Sequence, residues 1–264
     1  MSVITLTTSW KQDDYYNGII KGKLSRLSPG TAIIDNAGNI PVFDIAKAAF
    51  IIRNTFENYP ENSVHLIFVH SEAGKNMDCL IVKARNHFFI GADNGIFNLI
   101  LNSEPDEAVR ISEQTESNTI DIFSKTAAAL IAGKKPSELG EAVSKINEMM
   151  PLRATIDKDT IVGSVIFIDS YGNAISNITR EVFLRVFDNR EFRILLKSNR
   201  NYTDHISEKY SDVPVSDMLA RFNQLDLLEI AINGANISEL LNVETGSTVR
   251  IDSANKPAEP NKLF

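Results

Sequence analysis

Residues 64–69, Val-His-Leu-Ile-Phe-Val, form an almost wholly apolar run. Such a run predicts a strand that is covered on both faces. Ahead of it, residues 3–8 predict a first strand, residues 14–27 a helix, residues 31–34 a second strand and residues 43–56 a second helix. Strands and helices therefore alternate. This alternation predicts an α/β sheet with helices on both of its faces.

Beyond residue 69 the pattern changes gradually. Residues 79–82 and 87–90 predict two strands on either side of a hairpin turn, and residues 121–131 predict a helix that ends at Gly133. In the second half the predicted strands are short and are separated by turn-rich segments: residues 162–169, 192–196, 227–232 and 248–251. The predicted helices there are brief: residues 181–187 and 237–241. Short strands with frequent turns are typical of a small, mostly β unit.

The change of pattern falls between residues 150 and 160, where Pro151 precedes a polar stretch. We therefore predict two domains. Residues 1–152 form an α/β domain with a central, mostly parallel sheet, and residues 160–264 form a mostly β domain.

Composition excludes several classes of protein. The 264 residues include 27 basic and 34 acidic side chains, and the net charge of −7 offers no basic surface for nucleic acid or anionic lipid. The single cysteine, Cys79, cannot form an internal disulfide, which fits a reducing compartment. The first residues do not have the pattern of a secretory signal, and the most apolar stretch, residues 127–132, is far shorter than the roughly 20 residues of a membrane span. These features predict a cytoplasmic protein without nucleic-acid or membrane partners.

The sequence lacks the common motifs of metal and cofactor sites. It contains neither HExxH nor CxxC, neither GxGxxG nor GxxxxGK[ST], and no GxSxG. We therefore predict no metal site and no bound cofactor. A small-molecule site must then be built from backbone edges, aromatic rings and a few polar side chains at strand ends.

Three segments at predicted strand ends have this character. In TTSWKQDDYY, Trp10 and Asp14 could form an aromatic and carboxylate site, or they could be a packed indole and a helix cap. In VHSEAG, His70 could be catalytic or merely structural. In GADNG, Asp93 and Asn94 could contact a ligand or only form a turn.

A fourth segment, DSYGNAISNI at residues 169–178, lies in the β domain. Its Asp169, Tyr171 and Asn173 could clamp a purine or an amino acid, but the same residues would also suit a strand, a turn at Gly172 and a second strand. The residues alone therefore indicate a two-domain binding protein or enzyme and leave the choice open.

Seven segments in a fixed order carry a family resemblance: ITLTTSWKQDDYYNGIIKG, PVFDIAKAA, VHLIFVHSEAG, FFIGADNGIF, DIFSKTAAALIAG, GSVIFIDSYGNAISNI and LLEIAINGANISELL. Together they resemble the S-adenosylmethionine hydroxide adenosyltransferases, which are relatives of the fluorinase and chlorinase enzymes. The resemblance runs nearly from end to end. It implies an α/β N-terminal domain, a C-terminal β-barrel domain and a homotrimer. The ligand would lie between the N-terminal domain of one subunit and the C-terminal domain of the next.

The resemblance also implies a reaction. Water or hydroxide attacks the ribose C5′ of S-adenosylmethionine, expels L-methionine and leaves adenosine. The sulfonium already makes methionine a good leaving group, so no general acid is needed. What the site must supply is an in-line nucleophile, close to attack distance, in a pocket that excludes competing water.

Binding positions of the family are partly retained. The residues that match them are Asp14, Phe43, Asp93, Asn94, Asp169, Tyr171, Asn173 and the segment from Ile232 to Gly234. By resemblance, Asp169, Tyr171 and Asn173 hold the methionine part and adenine, and the backbone of the 232–234 segment reads the adenine edge. Ser9 stands where the family has an aspartate that binds a ribose hydroxyl, and Trp10 follows it.

The positions of the family's water-activating Asp–Arg–His set are substituted. The aspartate falls on His70, the arginine falls near Met77 or Asp78, and the histidine falls on Asn118, while Asp121 is retained. Our hypothesis is a hydrolase in which neutral His70 accepts a proton from water and Asn118 orients that water. The alternatives are a binding protein that has lost the reaction and a halide-dependent transferase.

Overall fold

The computed structural model describes residues 2–71, 77–112 and 118–254. Residues 72–74 of the segment VHSEAG lie outside this part of the chain. The chain divides into two compact units, Met1–Pro151 and Leu152–Phe264. Each unit is described by itself.

The first unit contains a seven-stranded sheet whose strands follow the order β2-β1-β3-β5-β4-β6-β7. The strands are β1 (Ile4–Thr8), β2 (Ile33–Ala37), β3 (Val64–Phe68), β4 (Cys79–Ala84), β5 (His87–Ala92), β6 (Glu107–Ile111) and β7 (Gly140–Ala142). The helices are α1 (Tyr15–Leu27), α2 (Ile45–Arg53), α3 (Ile96–Leu101) and α4 (Thr119–Ile131).

The sheet combines a parallel half and an antiparallel half. β2, β1, β3 and β5 are parallel neighbours, whereas β4 pairs antiparallel with both β5 and β6, and β7 pairs antiparallel with β6. The reversal comes from the predicted hairpin, in which Arg85 (φ 48°) and Asn86 (φ 61°) adopt the left-handed conformations that a two-residue turn requires. The predicted α/β class is confirmed, with an antiparallel edge added to a parallel centre.

Alternate residues of β3 explain why its sequence is apolar throughout. Leu66 and Phe68 pack in a core cluster with residues of α1 and α4, while Ile67 and Val69, the residue that follows the strand, pack in a second cluster with residues of α2 and α3. Helices therefore cover both faces of the sheet, as the continuous apolar run predicts. α1 leads from β1 to β2 on one side, and α2 leads back to β3 on the other side. The carboxyl ends of β1 and β3 thus form the point where strand order reverses, which is where open α/β sheets bind ligands.

The second unit contains an eight-stranded, antiparallel sheet in the order β12-β11-β15-β9-β10-β14-β13, with β8 paired to β9. The strands are β8 (Thr155–Asp157), β9 (Thr160–Ile168), β10 (Ala174–Thr179), β11 (Phe192–Leu196), β12 (Ser198–Thr203), β13 (Met218–Phe222), β14 (Leu227–Ile232) and β15 (Thr248–Ser253). The helices are α5 (Arg180–Phe187) and α6 (Ile237–Leu240).

The two ends of this second sheet approach each other. Ile206, shortly after β12, forms an isolated bridge with Ala220 of β13, and the amide of Ser207 donates to the carbonyl of Ala220 (2.8 Å). The sheet is therefore nearly closed and barrel-like, which confirms the predicted β-barrel class for this half of the chain. In the described ranges, no helix is both long enough and apolar enough to cross a membrane.

Candidate functional site

The carboxyl ends of β1 and β3 are joined directly. The amide of Ser9 donates to the carbonyl of Phe68 (3.2 Å), and the Ser9 hydroxyl oxygen is buried without a hydrogen-bond partner in the described part of the chain. The ring of Trp10 stacks on Tyr16 (centroids 5.4 Å apart) and packs against Phe68 (4.7 Å). Trp10 is thus a packed indole whose ring is still partly exposed. Its role in ligand binding stays a prediction.

Asp14 is the N-cap of α1. Its carboxylate accepts a hydrogen bond from the amide of Tyr16 (3.3 Å), and the residue is half-buried. A carboxylate at this position satisfies a free helix amide and interacts favourably with the helix dipole. Asp14 therefore acts as the helix cap that the sequence offered as one alternative, and its contact with a ligand stays a prediction.

His70 and Phe43 meet at the same edge of the sheet. Their rings contact edge to face, with centroids 5.1 Å apart. Both residues are exposed, and both have left-handed backbones, with φ of 50° at His70 and 67° at Phe43. Bulky residues rarely adopt this conformation, and such strain concentrates at binding and catalytic sites. The sequence brings two expected site residues together here in a strained arrangement.

Asn94 fixes the backbone beneath His70. Its Nδ2 donates to the carbonyls of His70 (2.9 Å) and Val69 (3.3 Å), and its Oδ1 accepts from the amide of Ile96 (3.1 Å). Asn94 therefore ties the end of β3 to the start of α3. The GADNG segment is a turn, as its composition predicts, and its asparagine positions a candidate catalytic residue.

Asp93 is committed to a different contact. Its Oδ1 accepts from the amide of Asn147 (2.9 Å), and its carbonyl accepts from the Asn147 side chain (2.6 Å). Burial raises the pKa of the Asp93 carboxyl, the hydrogen bond from Asn147 opposes this rise, and the nearby Asp78 adds to it. Within the first unit, Asp93 therefore anchors the segment that follows β7.

The structure also places an arginine that sequence comparison does not indicate. Arg110 Nε donates to Asp78 Oδ2 (2.7 Å), close to the position at which the family arginine is substituted. Arg110 comes from β6, where it pairs with Leu80 of β4. Only strand pairing brings it there, so no local signal in the sequence could have found it.

Asn118 is the N-cap of α4. Its Oδ1 accepts from the amide of Asp121 (3.0 Å), and its Nδ2 donates to Asp121 Oδ2 (3.0 Å). An ion pair and hydrogen bond with Lys23 lower the pKa of the Asp121 carboxyl. The next residue, Thr119, donates from its hydroxyl to the carbonyl of Ser71 (3.2 Å). The start of α4 therefore lies beside the residue that follows His70, while the Asn118 amide is engaged in capping.

A cleft with a volume of about 360 Å³ lies on the β2 side of β1. Its lining residues are Thr8, Trp10, Gln12, Asn17, Lys21, Asp35, Ala37, Gly38 and Asn39. Lys21 and Asp35 form an ion pair there (2.6 Å). Trp10 is the one expected site residue in this lining, so the other expected residues of the first unit lie outside the cleft.

In the second unit, Asp169 organises the loop that contains the other expected residues. Its Oδ1 accepts from the amides of Tyr171 and Asn173 (both 2.9 Å), and its Oδ2 accepts from Asn173 Nδ2 (3.0 Å). Asn173 is buried, whereas the Tyr171 side chain is 80% exposed. The turn alternative is therefore present, and it leaves an aromatic ring free at the surface of this unit.

The 169–173 loop contacts the segment that follows β14. The amide of Ser238 donates to the carbonyl of Gly172 (3.1 Å). A Cβ at Gly172 (φ 83°) would lie 1.8 Å from Oδ1 of Asn236, so only glycine permits this approach. Ile232 ends β14, and Gly234 (φ 78°) lies in the turn that follows. The structure thus brings together the two C-terminal segments that contain expected site residues.

A group of three residues was missed in the sequence: Tyr210, Arg221 and Glu229. Of these, Tyr210 contacts Asn173, and the other two contact Tyr210. The Tyr210 hydroxyl donates to Glu229 (2.5 Å) and lies 3.4 Å from Asn173 Nδ2. Glu229 was the available signal, because a carboxylate in the apolar strand LLEIAI must find a partner when it is buried.

Comparison with known proteins decides the family. The profile of the SAM (S-adenosylmethionine) hydroxide adenosyltransferase N-terminal domain matches residues 4–140, and that of the C-terminal domain matches residues 163–250. The two matches together cover more than half of the chain. The chain belongs to the SAM hydroxide adenosyltransferase family.

Curated relatives of this SAM hydroxide adenosyltransferase chain match nearly the whole of it. The protein of Thermus thermophilus is 25% identical over 259 residues, which cover 90% of this chain and 95% of the relative. The protein of Methanocaldococcus jannaschii is 23% identical over 258 residues, which cover 92% of this chain and 93% of the relative. Both relatives are named (R)-S-adenosyl-L-methionine hydrolase.

Solved structures share the fold. An uncharacterized conserved protein from Thermotoga maritima superposes with a TM-score of 0.84 at 23% identity, covering 95% of this chain and all of that one. A conserved hypothetical protein from Thermus thermophilus gives a TM-score of 0.77 at 25% identity, with the same coverage. The fold, with an α/β unit followed along the chain by a barrel-like unit, is therefore shared by both solved structures.

Proposed function

We propose that this protein is an S-adenosylmethionine hydrolase, in which water attacks the ribose C5′ and adenosine and L-methionine are released. Its family membership supports this reaction. So do its relatives, which match this chain over nearly their full length and are named as hydrolases. The observation that carries the proposal is the placement of His70 at the point where strand order reverses. Its backbone is held there by Asn94, and its ring lies against Phe43.

His70 is the proposed general base. Among the described residues, no hydrogen bond engages either ring nitrogen of His70, so a neutral imidazole has an acceptor available for a proton of water. Base catalysis matters here because hydroxide is scarce at neutral pH. Asn118 caps the helix whose start contacts the residue after His70, and its proposed role is to orient the attacking water.

The proposed reaction requires no cofactor, because the sulfonium of the substrate itself supplies the leaving group. Substrate binding is proposed for the expected residues of the two units. They are Ser9, Trp10, Asp14, Phe43, Asp93 and Asn94 in the first unit and Asp169, Tyr171, Asn173, Ile232 and Gly234 in the second. A homotrimer with its ligand at the subunit interface, in the cytoplasm, is proposed from the resemblance and the single cysteine. Sedimentation as a monomer would contradict the trimer.

The test is the incubation of the purified protein with S-adenosylmethionine. We expect adenosine and methionine in equal amounts. His70→Asn should lower the turnover about a hundredfold or more, because it removes the base. Asparagine is chosen because it tolerates the left-handed backbone at this position. The matched control is His205→Asn, which changes an exposed histidine of the second unit and should leave turnover unaltered. No adenosine above the rate in buffer would contradict the proposal.

A second candidate function is ligand binding without turnover. Two observations favour it: the capping role of the Asn118 amide, and the serine at position 9 where the family has an aspartate. Under this alternative, calorimetry would show binding of S-adenosylmethionine or adenosine while no methionine is released.

A further inference from the structure

A buried polar chain lies behind the 169–173 loop of the second unit. Glu229, in the middle of β14, is 5% exposed, and Asn173 is 4% exposed. Between them is Tyr210, whose hydroxyl lies 2.5 Å from Glu229 Oε1 and 3.4 Å from Asn173 Nδ2. Arg221 pairs with Glu229 across β13 and β14, and its guanidinium lies over the Tyr210 ring at 5.0 Å. The ring of Tyr210 is thus held by a cation–π contact as well as by its hydroxyl.

The chemistry of these groups fixes the direction of each hydrogen bond. The hydroxyl of Tyr210 is the donor, and the Glu229 Oε1 atom accepts. Burial and the hydrogen bond to Glu229 raise the pKa of Tyr210 to about 12, and the hydroxyl therefore keeps its proton. The oxygen of Tyr210 then faces Asn173 with its lone pairs, which can only receive a hydrogen bond from the amide nitrogen.

The same nitrogen has a second acceptor. Nδ2 of Asn173 donates to Asp169 Oδ2 at 3.0 Å, so both of its hydrogens are committed. A flipped amide would place Oδ1 against two acceptors. The carbonyl oxygen of the Asn173 amide is therefore still available to accept a hydrogen bond. In the described part of the chain no donor contacts it.

We propose that Tyr210 and Glu229 are positioning residues that hold the Asn173 amide with its carbonyl oxygen available, so that the site selects a substrate group that donates N–H. This inference rests on the proposed function, because S-adenosylmethionine carries two such groups. One is the exocyclic amine of adenine and the other is the ammonium of its methionine part. A purine or amino acid without the donor would leave the carbonyl unpaired, which disfavours its binding.

The test compares ligands with and without the donor. Calorimetry would measure the binding of adenosine against purine riboside, which lacks the amine, and of L-methionine against its 2-hydroxy analogue. For Tyr210→Phe we expect the affinity of an amine-bearing ligand to fall roughly threefold to tenfold, the worth of one hydrogen bond. The affinity of its amine-free counterpart should not change. The pair of ligands whose relative affinity changes identifies the substrate group that donates to the Asn173 carbonyl.

Tyr202→Phe is the matched control. Tyr202 is a half-exposed tyrosine of β12 in the same unit, and its ring contacts Arg193 (5.4 Å). It should change no affinity. Circular dichroism checks that Tyr210→Phe unfolds in the same thermal transition as the wild type. If it does not, Glu229→Gln is tested in its place, because this change removes the carboxylate to which the tyrosine donates. A loss of about twofold or more for the amine-bearing ligand is expected there.

The inference is overturned if amine-bearing and amine-free ligands weaken equally, if neither weakens in these variants, or if the wild type binds none of the four. Hydrolysis is measured separately. A wild type that shows the expected binding pattern but forms no adenosine contradicts the proposed reaction and supports the inference. If the wild type forms adenosine but Tyr210→Phe does not change the relative affinity for amine-bearing and amine-free ligands, the inference is overturned and the proposed reaction is not.

Discussion

At the scale of single residues, His65 and His87 form a buried pair in the sheet of the first unit. Nδ1 of His65 lies 2.8 Å from the hydroxyl of Thr5, and its Nε2 lies 3.1 Å from Nδ1 of His87. Burial and, to a lesser extent, the neighbouring His87 together lower the pKa of His65 to about 3. Burial also lowers the pKa of His87, while Glu57 and Glu61 oppose that shift. Both rings are therefore neutral in the folded protein at physiological pH.

This pair predicts that the first unit loses stability in acid. In the unfolded chain each histidine takes up a proton below about pH 6.5, whereas folded His65 does not until about pH 3. The contribution of His65 to the free energy of unfolding is thus fully present above about pH 6.5, and it is lost progressively as the pH falls below that value. Between pH 7 and pH 5 we expect a loss of about 2 kcal/mol from His65 alone. Urea unfolding followed by the fluorescence of Trp10, the single tryptophan, would report it.

A variant and a control accompany this measurement. His65→Gln should flatten the pH dependence, because glutamine does not titrate. His205→Gln, at an exposed position, should leave it as in the wild type. Equal free energies of unfolding at pH 7 and pH 5 in the wild type would contradict the expectation.

At the scale of elements, the start of α4 links capping to the candidate site. Asn118 caps this helix, and Thr119 contacts the carbonyl of Ser71. The prediction is that Asn118→Ala lowers the free energy of unfolding by about 1 kcal/mol, as expected for the loss of a cap. Asn118→Ser keeps a capping oxygen and should retain the stability, whereas the loss of the amide that is proposed to orient the water should lower turnover about tenfold or more.

Urea unfolding and the rate of adenosine formation would be measured on both variants. A turnover that stays within about twofold of the wild type in Asn118→Ser would contradict the proposed role of the amide. It would show instead that Asn118 acts as a helix cap alone.

The elements also show which features a sequence can reveal. Most of the longer strands and helices, and the Arg85–Asn86 hairpin, follow from local periodicity and turn chemistry, and they were predicted. The short elements α3, β6, β7, β8, β12 and β13 were not predicted. Contacts such as those of Arg110 with Asp78 and of Tyr210 with Asn173 join residues that are 32 and 37 positions apart. Only the pairing of strands and the packing of loops brings such residues together, so no spacing in the sequence indicates them.

The same limit applies to single site residues. Trp10, Asp14 and Asp169 make the structural contacts that their residue types and positions suggested, and their contacts with a ligand stay predictions. The left-handed backbones of Phe43 and His70 had no signal in the sequence, because neither residue type favours that conformation.

At the scale of the whole molecule, the chain combines an α/β unit and a barrel-like unit, and each unit contains one group of expected site residues. In the first unit the group lies at the carboxyl ends of β1, β3 and β5, and in the second it lies on the loops after β9 and β14. The proposed reaction requires both groups to act on one substrate, since one molecule carries the ribose carbon, the purine and the amino acid.

The most direct measurement is the turnover of S-adenosylmethionine in water enriched in oxygen-18, with the products analysed by mass spectrometry. We expect the label in the 5′-hydroxyl of adenosine and none in methionine, because water forms the new bond at C5′. Accumulation of 5′-methylthioadenosine, or no product above the rate in buffer, would contradict this expectation.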